Sequence, residues 1–280
     1  METQVRHPKG HRMTSTPAAA GAGDDILVLE ELTLRYGALT AVDHVSLRIR
    51  RGGRHALIGP NGAGKSSLFS VVAGTQRATE GRVFFDGQDV SGLTEVGRAR
   101  VGLVRTFQHS SLFLGMSVLD NARLAVERAE GSPKRPWPNP RRDRRITETA
   151  LRHLGSVGLT DRKSALCGAL SHGERRQLEV GLVLACNPSL VLFDEPTAGM
   201  SAAETERFSE VVESLPAEIT TVVVEHDLDV VFRLADRISV LSAGRLIADG
   251  TPEEVRADEA VREAYLGKPR SEEPLFGTVA

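Results

Sequence analysis

A chain of 280 residues, of which 40% are apolar and 26% charged, has the composition of a globular protein large enough for one α/β domain or two small ones. Its 35 basic and 37 acidic residues give a net charge of −2, so no global field points to nucleic acid or to an anionic membrane. The sequence contains no apolar run of about 18 residues, so we expect no membrane-spanning helix.

The composition of the first residues indicates where the folded domain begins, and the two cysteines indicate the redox compartment. Residues 1–25 are rich in Ala, Gly, Pro, Thr and Arg without an apolar core, which predicts a disordered leader rather than a signal peptide. Cys167 and Cys186 lie in no metal-binding pattern, and we expect both to be buried, reduced thiols. Reduced thiols are typical of the cytosol.

The next stretch has the alternation of short strands. Apolar and polar residues alternate over residues 26–34 and 45–49, and a further short strand over 55–58 contains the apolar run 56–58. An antiparallel sheet that leads into a buried strand is therefore predicted. Tyr36 ends the first strand, where its ring can either stack on a flat base or cover a sheet edge.

Residues 59–67 read GPNGAGKSS and match the phosphate-loop pattern G-x-x-x-x-G-K-[ST]. They follow the strand over 55–58 and precede a helix predicted over 67–73, so strand, loop and helix come in the required order. Glycines let the backbone N–H groups face the phosphates, Lys65 is predicted to reach the β and γ phosphates, and the Ser66 hydroxyl to ligate Mg²⁺. The candidate nucleotide-binding residues are Gly59, Pro60, Asn61, Gly62, Ala63, Gly64, Lys65, Ser66 and Ser67.

The pattern over residues 81–170 predicts alternating strands and a helix, followed by a helical insertion. A strand over 81–85 turns at 86–87, a helix covers 94–100, and a strand over 101–107 ends at Gln108. Gln108 is either an ordinary loop residue or a side-chain oxygen that completes Mg²⁺ coordination or orients water. Helical patterns over 117–129 and 146–155 flank a proline-rich linker over 131–140. The basic run over 141–145 favours a solvated helix start over a lipid-headgroup contact.

A second helix start follows this insertion. Ser171 and Glu174 have the spacing of a capping box, before a helix that runs to about residue 185. Ordinary capping explains this pattern, and the same helix start, with Ser171 and the Gly173 N–H, can also face a phosphate. Both interpretations can hold at once.

Two further apolar runs end in polar residues. Residues 190–195 predict a buried parallel strand, with Asp194 in the Mg²⁺ shell and Glu195 as the general base that polarises water. Residues 220–225 predict another buried strand, after which His226 is either structural or a hydrogen-bond donor to the γ-phosphate. A hairpin over 237–249, two short helices to about residue 266 and a tail from 268 complete the chain.

With these motifs in this order, the chain resembles the ATP-binding-cassette (ABC) ATPases over about residues 26–267. The resemblance implies an α/β P-loop NTPase fold of ABC type: a mixed central sheet, an antiparallel β subdomain, and an inserted helical subdomain over about residues 109–170, with a tail over 268–280. It implies that Tyr36 stacks on adenine and that Gln108 is the Q-loop residue. It also implies that Ser171, His172, Gly173 and Glu174 form the signature, and that His226 is the switch histidine.

The mechanism of this family implies ligands and partners. Two cassettes are expected to clasp two ATP molecules head to tail, with Mg²⁺, and hydrolysis would release the clasp. In transporters the helical subdomain and Q-loop dock on integral-membrane permease subunits. The resemblance therefore implies a peripheral protein at the cytoplasmic face of the plasma (inner) membrane. An extracytoplasmic substrate-binding protein belongs to the full system, and nucleic acid is not an expected partner.

Within the family, the chain resembles the ATPases of branched-chain amino-acid importers. The resemblance rests on residues 247–255 and 262–267, on Ala-Gly-Met at 198–200 and on the long insertion after Gln108. That branch also includes urea and short-chain amide importers and resembles the lipopolysaccharide-export ATPase, so the substrate stays open. The signature reads LSHGE rather than the common LSGGQ, and Ser201 stands where an Asp is usual. These departures favour a heterodimer with a second cassette over a homodimer.

Two other classes of function compete with a transport ATPase. A soluble ABC ATPase acting on ribosomes or DNA usually has two cassettes or a long coiled coil, and one phosphate loop without sustained heptads counts against it. A scaffold that binds nucleotide without hydrolysing it would lack the catalytic acid, and Glu195 is present.

Overall fold

The computed structural model describes residues 24–106, 112–131 and 140–266. In chain order, the strands are β1 (Asp25–Tyr36), β2 (Leu39–Arg50), β3 (Arg54–Ile58), β4 (Glu80–Phe85), β5 (Gln88–Asp89), β6 (Leu103–Arg105), β7 (Leu190–Asp194), β8 (Thr220–Val224), β9 (Arg237–Ser242) and β10 (Arg245–Gly250). The helices are α1 (Lys65–Ala73), α2 (Glu95–Arg100), α3 (Val118–Ala129), α4 (Pro140–Ser156), α5 (His172–Leu184), α6 (Ala202–Glu213), α7 (Leu228–Leu234), α8 (Pro252–Ala257) and α9 (Glu259–Leu266).

The central sheet has the strand order β10-β9-β3-β8-β7-β6. Neighbouring strands from β9 to β6 run parallel, and β10 pairs antiparallel with β9, so the sheet is mixed. Val224, the last residue of β8, pairs with Leu57 of β3 on one side and with Asp194 of β7 on the other. The carboxyl ends of these three strands therefore lie side by side, which is where ligands bind in open α/β sheets.

The antiparallel sheet has the order β2-β1-β4-β5 and packs on the central sheet through α1. Alternating apolar residues of β2, such as Val45, Leu47 and Ile49, turn inward while their neighbours face outward, as the period of two requires. They share one buried cluster with Phe69 of α1 and Leu192 of β7. The helix that follows the phosphate loop is thus held between the two sheets.

The helices α3 and α4 pack on each other and on α5. Their buried residues recur every four positions, Val118, Ala122 and Val126 on α3 and Ile146, Ala150 and Leu154 on α4, which is the spacing of one helix face. The predicted helical segment is therefore observed. The boundaries of the leader, insertion and tail stay predictions, since much of the leader, the linker and the tail lies outside the described residues.

The structure corrects several sequence-based expectations. Helix α4 begins at Pro140, inside the predicted linker, because proline is well suited to the first position of a helix. Strand β6 is shorter than predicted and starts at Leu103, after Gly102 in a left-handed conformation with φ of +96°. Cys186 is exposed, because it follows the end of α5, whereas Cys167 is buried as expected, and both thiols are free. Among the described residues, no helix is long and apolar enough to cross a bilayer.

Candidate functional site

The phosphate loop lies at the carboxyl end of β3, between β2 and the hairpin of β9 and β10. At Gly59, with φ of +152°, a Cβ atom would lie 2.2 Å from the Leu241 carbonyl oxygen, and at Gly64, with φ of +99°, 2.3 Å from that of Ala41. The Gly244 N–H in the hairpin turn donates to the Ala63 carbonyl at 2.9 Å. Close approach of three backbone segments therefore requires glycine at these loop positions.

Helix α1 begins at Lys65 and directs its free N–H groups into the loop, as an anion site requires. The Lys65 ammonium donates to the carbonyl oxygens of Gly59 at 2.6 Å and Pro60 at 3.1 Å, and so lies across the loop. Burial lowers the pKa of Lys65, and the negative charge of Glu195 partly opposes this shift. The loop lysine and the candidate general base are therefore within electrostatic reach of each other.

The remaining loop residues differ in their exposure. Ala63 is buried under the hairpin turn, whereas Pro60 and Ser67 are partly buried. Asn61, Gly62 and Ser66 are exposed. The Ser66 hydroxyl, on the first turn of α1, is accordingly available to a ligand of the loop.

Asp194, the last residue of β7, is almost fully buried in an ion pair. Its Oδ2 accepts a 2.6 Å hydrogen bond from Nη2 of Arg105, the last residue of β6. Strand register pairs Arg105 with Leu192, so its side chain lies on the same sheet face as that of Asp194 two residues on. The guanidinium also lies 5.5 Å from the ring centroid of Phe69 on α1. The carboxylate predicted to hold Mg²⁺ is thus already paired with an arginine.

Glu195 follows β7 with a left-handed backbone, φ of +43°, which is rare for a residue with a side chain. Its N–H donates to the Val224 carbonyl of β8 at 2.8 Å. The next turn is held by Glu225, a fully buried carboxylate whose Oε1 accepts from the N–H of Thr197 at 2.9 Å and from its hydroxyl at 2.5 Å. The end of β8 therefore anchors the segment that carries the candidate general base.

His226 lies directly after Glu225, and its ring is largely exposed. The His226 N–H donates to Glu225 Oε2 at 3.0 Å, and its ring Nδ1 is 3.6 Å from the same oxygen. Because β8 lies between β3 and β7, this histidine emerges at the same sheet edge as the phosphate loop and Glu195.

The predicted capping box at the start of α5 is confirmed. The Ser171 hydroxyl accepts from the Glu174 N–H at 3.2 Å, and the Glu174 carboxylate accepts from the Ser171 N–H at 2.9 Å. His172, the first residue of the helix, lies with its ring Nε2 3.2 Å from the Ala198 carbonyl, to which the Nε2–H tautomer donates. The histidine that departs from the common signature therefore contacts the segment after β7 in the same chain.

A second carboxylate lies on this helix start. Glu204 Oε1 accepts from the Ser171 hydroxyl at 2.9 Å and from the Gly173 N–H at 3.0 Å, while its Oε2 accepts from the N–H and hydroxyl of Ser201. Hydrogen bonds from the Ser201 and Gly173 backbones, with those of the hydroxyls, lower the pKa of Glu204 to about 2. The donors predicted to face a phosphate are thus directed at an acid of the same chain.

Tyr36 ends β1 and is half exposed, opposite Leu39 in the turn that leads to β2. Ala41, two residues further along β2, is the residue that approaches Gly64, so the exposed ring lies on β1, across the turn from the strand that flanks the loop. Gln108 lies outside the described residues, and its role stays a prediction.

The structure thus brings together the phosphate loop, Asp194, Glu195 and His226 at one sheet edge, and it joins the signature residues to the segment 198–204. Sequence reasoning missed Arg105, Glu204 and Glu225. The Ser-x-x-Glu spacing from Ser201 to Glu204 is a capping-box signal that could have located Glu204. Arg105 and Glu225 have no local signal, because Asp194 and Thr197, which they contact, are distant in the chain.

A family profile described as ABC transporter matches residues 42–198, more than half of the chain. The chain is also 36% identical to the high-affinity branched-chain amino acid transport ATP-binding protein BraF of Pseudomonas aeruginosa, over 87% of this chain and 98% of that protein. The chain belongs to the ABC transporter family. The LivG protein of Escherichia coli K12, which bears the same description, is 34% identical to this ABC ATPase with the same coverage of both chains.

Solved structures agree with this family. The crystal structure of the ADP conformation of an ATP-binding cassette of an ABC transporter is 30% identical in sequence, with a TM-score of 0.75 over 87% of this chain and 99% of that chain. A profile described as branched-chain amino acid ATP-binding cassette transporter matches residues 245–270. The predicted ABC-type fold is confirmed. The protein is an ATP-binding ATPase, and membership of this family implies integral-membrane permease partners. The roles of individual residues stay predictions.

Proposed function

We propose that this ABC ATPase energises a plasma-membrane importer of branched-chain amino acids. The observation that carries the proposal is the match of residues 245–270 to the branched-chain transporter profile, since these residues lie beyond the part that ABC ATPases share for ATP binding. The names of BraF and LivG support the same substrate class.

The nucleotide would bind at the phosphate loop, with the ring of Tyr36 stacked on adenine and Lys65 turned from the loop carbonyls to the β and γ phosphates. The Ser66 hydroxyl and the Asp194 carboxylate are hard oxygen donors of the kind that Mg²⁺ prefers, and Asp194 would exchange its ion pair with Arg105 for the metal. With Gln108, they would hold the metal, which supplies neutralisation of phosphate charge.

Hydrolysis requires a base for water and a donor for the departing phosphoryl group. Glu195 would take the proton of the attacking water, and its electrostatic reach to Lys65 supports this position beside the γ-phosphate. The exposed ring of His226 would donate to the γ-phosphate as charge develops.

A second cassette would complete each ATP site. The signature residues 171–174 lie on a separate helix start and would face the ATP of the partner cassette, which requires their donors to leave Glu204. Two departures from the common pattern distinguish this half-site: His172 contacts the Ala198 carbonyl after β7, and Ser201 is the N-cap of α6 where an Asp is usual. We therefore favour a heterodimer.

The permease would dock in an apolar groove between α2, α3 and α5. The groove has a volume of about 690 Å³. Its walls include the apolar residues Val96, Val104, Leu112 and Leu182. An amphipathic helix with its apolar face inward matches such a groove. Docking there would hold the protein at the cytoplasmic face of the inner membrane. The permease, together with an extracytoplasmic binding protein, would select the substrate.

Uptake of radiolabelled leucine tests this function in the host. Replacing the gene by one that encodes Lys65→Ala should reduce leucine, isoleucine and valine uptake to background, because ATP no longer binds productively. The matched control is Lys163→Ala, which removes an exposed lysine outside the site and should leave uptake at the wild-type level. Loss of urea or short-chain amide uptake with normal leucine uptake would show that the substrate is urea or an amide rather than a branched-chain amino acid. Normal uptake of all of them would exclude an import function for these solutes.

A further inference from the structure

Glu225 is a fully buried acid at the end of β8 whose two carboxylate oxygens both serve as hydrogen-bond acceptors. Burying a carboxylate costs free energy unless the group is well paired, so we expect Glu225 to have a specific role. The two oxygens face different segments. Oε1 holds Thr197, after β7, and Oε2 holds His226, after β8.

The Thr197 side of this contact constrains Glu195. A left-handed conformation of a residue with a side chain persists only where the surroundings over-determine it. Glu195 is fixed at its own N–H by the Val224 carbonyl, and the turn after it is closed by Ala198 N–H, which donates to the Glu195 carbonyl at 3.2 Å. Two short hydrogen bonds from Thr197 to Glu225 then anchor that turn to β8.

The His226 side of the contact constrains the imidazole. The ring is 63% exposed, so packing alone does not fix its orientation. Glu225 Oε2 holds the backbone N–H of His226 and lies 3.6 Å from Nδ1. A negative charge there favours a proton on Nδ1, and the position of the proton on one ring nitrogen determines what the other can do.

We propose that Glu225 is a positioning residue for ATP hydrolysis, which holds the backbone of Glu195 and the ring of His226 in a fixed mutual arrangement. This inference rests on the proposed roles of Glu195 and His226. A carboxylate is required, because three donors point at its two oxygens. The amide of a glutamine would present its own N–H₂ group to one of these donors.

The test compares Glu225→Gln with wild type in steady-state ATP hydrolysis. We expect kcat to fall about tenfold or more, while KM and the Kd of a fluorescent ATP analogue change by less than about threefold, because positioning acts on the transition state. Thr197→Val keeps the backbone N–H but removes the hydroxyl contact, and it should also lower kcat. Unchanged kcat in both variants would overturn the proposal.

A spectroscopic measurement separates positioning from general stability. The method is nitrogen NMR of protein with isotope-labelled histidine. The signals of the His226 ring nitrogens are identified because they are missing from the spectrum of His226→Gln. We expect Glu225→Gln to shift the neutral ring away from the Nδ1–H tautomer, and Thr197→Val to leave it unchanged. A tautomer unaffected by Glu225→Gln would exclude the His226 part of the proposal.

Two further variants make the outcome specific. Asp249→Asn alters another carboxylate with both oxygens hydrogen bonded, to Ser239 and Arg237, and should retain wild-type kcat. A comparable loss of kcat in this control would indicate a merely structural effect.

Glu195→Gln tests the underlying function. If it keeps wild-type turnover, the proposed general base is wrong, whereas its inactivity together with full activity of Glu225→Gln would defeat only the present inference.

Discussion

At the scale of single residues, His55 shows how burial on a central strand can link stability to pH. It lies on β3, four residues before the phosphate loop, and its side chain is buried. Its ring Nε2 is 2.8 Å from the Ser239 hydroxyl and 3.9 Å from an Asp249 oxygen. Burial lowers the pKa of His55 from 6.5 to about 4, with the charge of Asp249 opposing this shift and that of Arg237 adding to it. The ring is therefore neutral at physiological pH.

We predict that His55 makes the protein less stable in mild acid. Because its pKa is lower in the folded state, the unfolded chain takes up the proton first as pH falls. The stability contributed by the neutral ring is fully present above pH 6.5 and is lost progressively towards pH 4. In urea unfolding at a series of pH values, the free energy of unfolding of wild type should fall by about 3 kcal/mol more than that of His55→Gln over this range. Parallel pH profiles for the two proteins would contradict the prediction.

The sequence predicted those site residues whose signal is local. The phosphate-loop glycines and Lys65 form a contiguous pattern, and Ser171 and Glu174 a capping box. Arg105 could not be predicted, because its contact with Asp194 depends on β6 lying beside β7, and 89 residues separate the two. Glu225 reads as the end of an apolar strand until Thr197 is placed next to it.

At the scale of elements, one side chain connects two helices. Glu204, in the first turn of α6, completes the cap of its own helix at Ser201 and reaches the first turn of α5 at Ser171 and Gly173. Each helix start has free N–H groups that need acceptors, and a negative charge there interacts favourably with both helix dipoles. The start of the signature helix is thus fixed relative to the segment that follows Glu195.

We predict that Glu204→Ala lowers the melting temperature by about 3 °C, as expected when a helix N-cap interaction is lost. The control is Glu206→Ala on the same helix, which removes an exposed ion pair with Arg233 and should change the melting temperature by less. Circular dichroism melts of the three proteins provide the measurement. Equal shifts in the two variants would show that the contact with α5 adds no stability.

The secondary structure was most predictable where periodicity and end signals coincide. Helix α3 begins after Ser117 and ends as predicted at Ala129, and α1 ends at Gly74 in a left-handed conformation. Helix α4 includes the basic run over 141–145, as the predicted solvated helix start requires, and it extends one residue further, to Pro140. The mixed order of the central sheet could not be read from local patterns, since it depends on which strands pair.

At the scale of the whole molecule, the described surface has a large groove suited to a partner helix. The groove lies between α2, α3 and α5 and has a volume of about 690 Å³. Residues of β6, the strand that precedes residue 108 in the chain, line it. Val96 on α2 lines the groove and is 58% exposed as a residue. A partner bound here would contact both the helical segment and the strand that carries Arg105, and thus the ion pair with Asp194. Docking in this groove would therefore be connected to the nucleotide site through one strand.

We predict that Val96→Glu prevents association with the permease, because a charge would have to be buried in an apolar contact. The measurement is affinity purification of the chain from host membranes in mild detergent, followed by mass spectrometry. Wild type should recover polytopic permease subunits and a second cassette, and Val96→Glu should lose both permeases while keeping its melting temperature. Leu166→Glu, at a similarly exposed apolar residue that does not line the groove, is the matched control and should retain them. Recovery of permeases by Val96→Glu at the wild-type level would place the docking surface elsewhere, and recovery of only ribosomal or DNA-associated proteins by wild type would contradict the transport function itself.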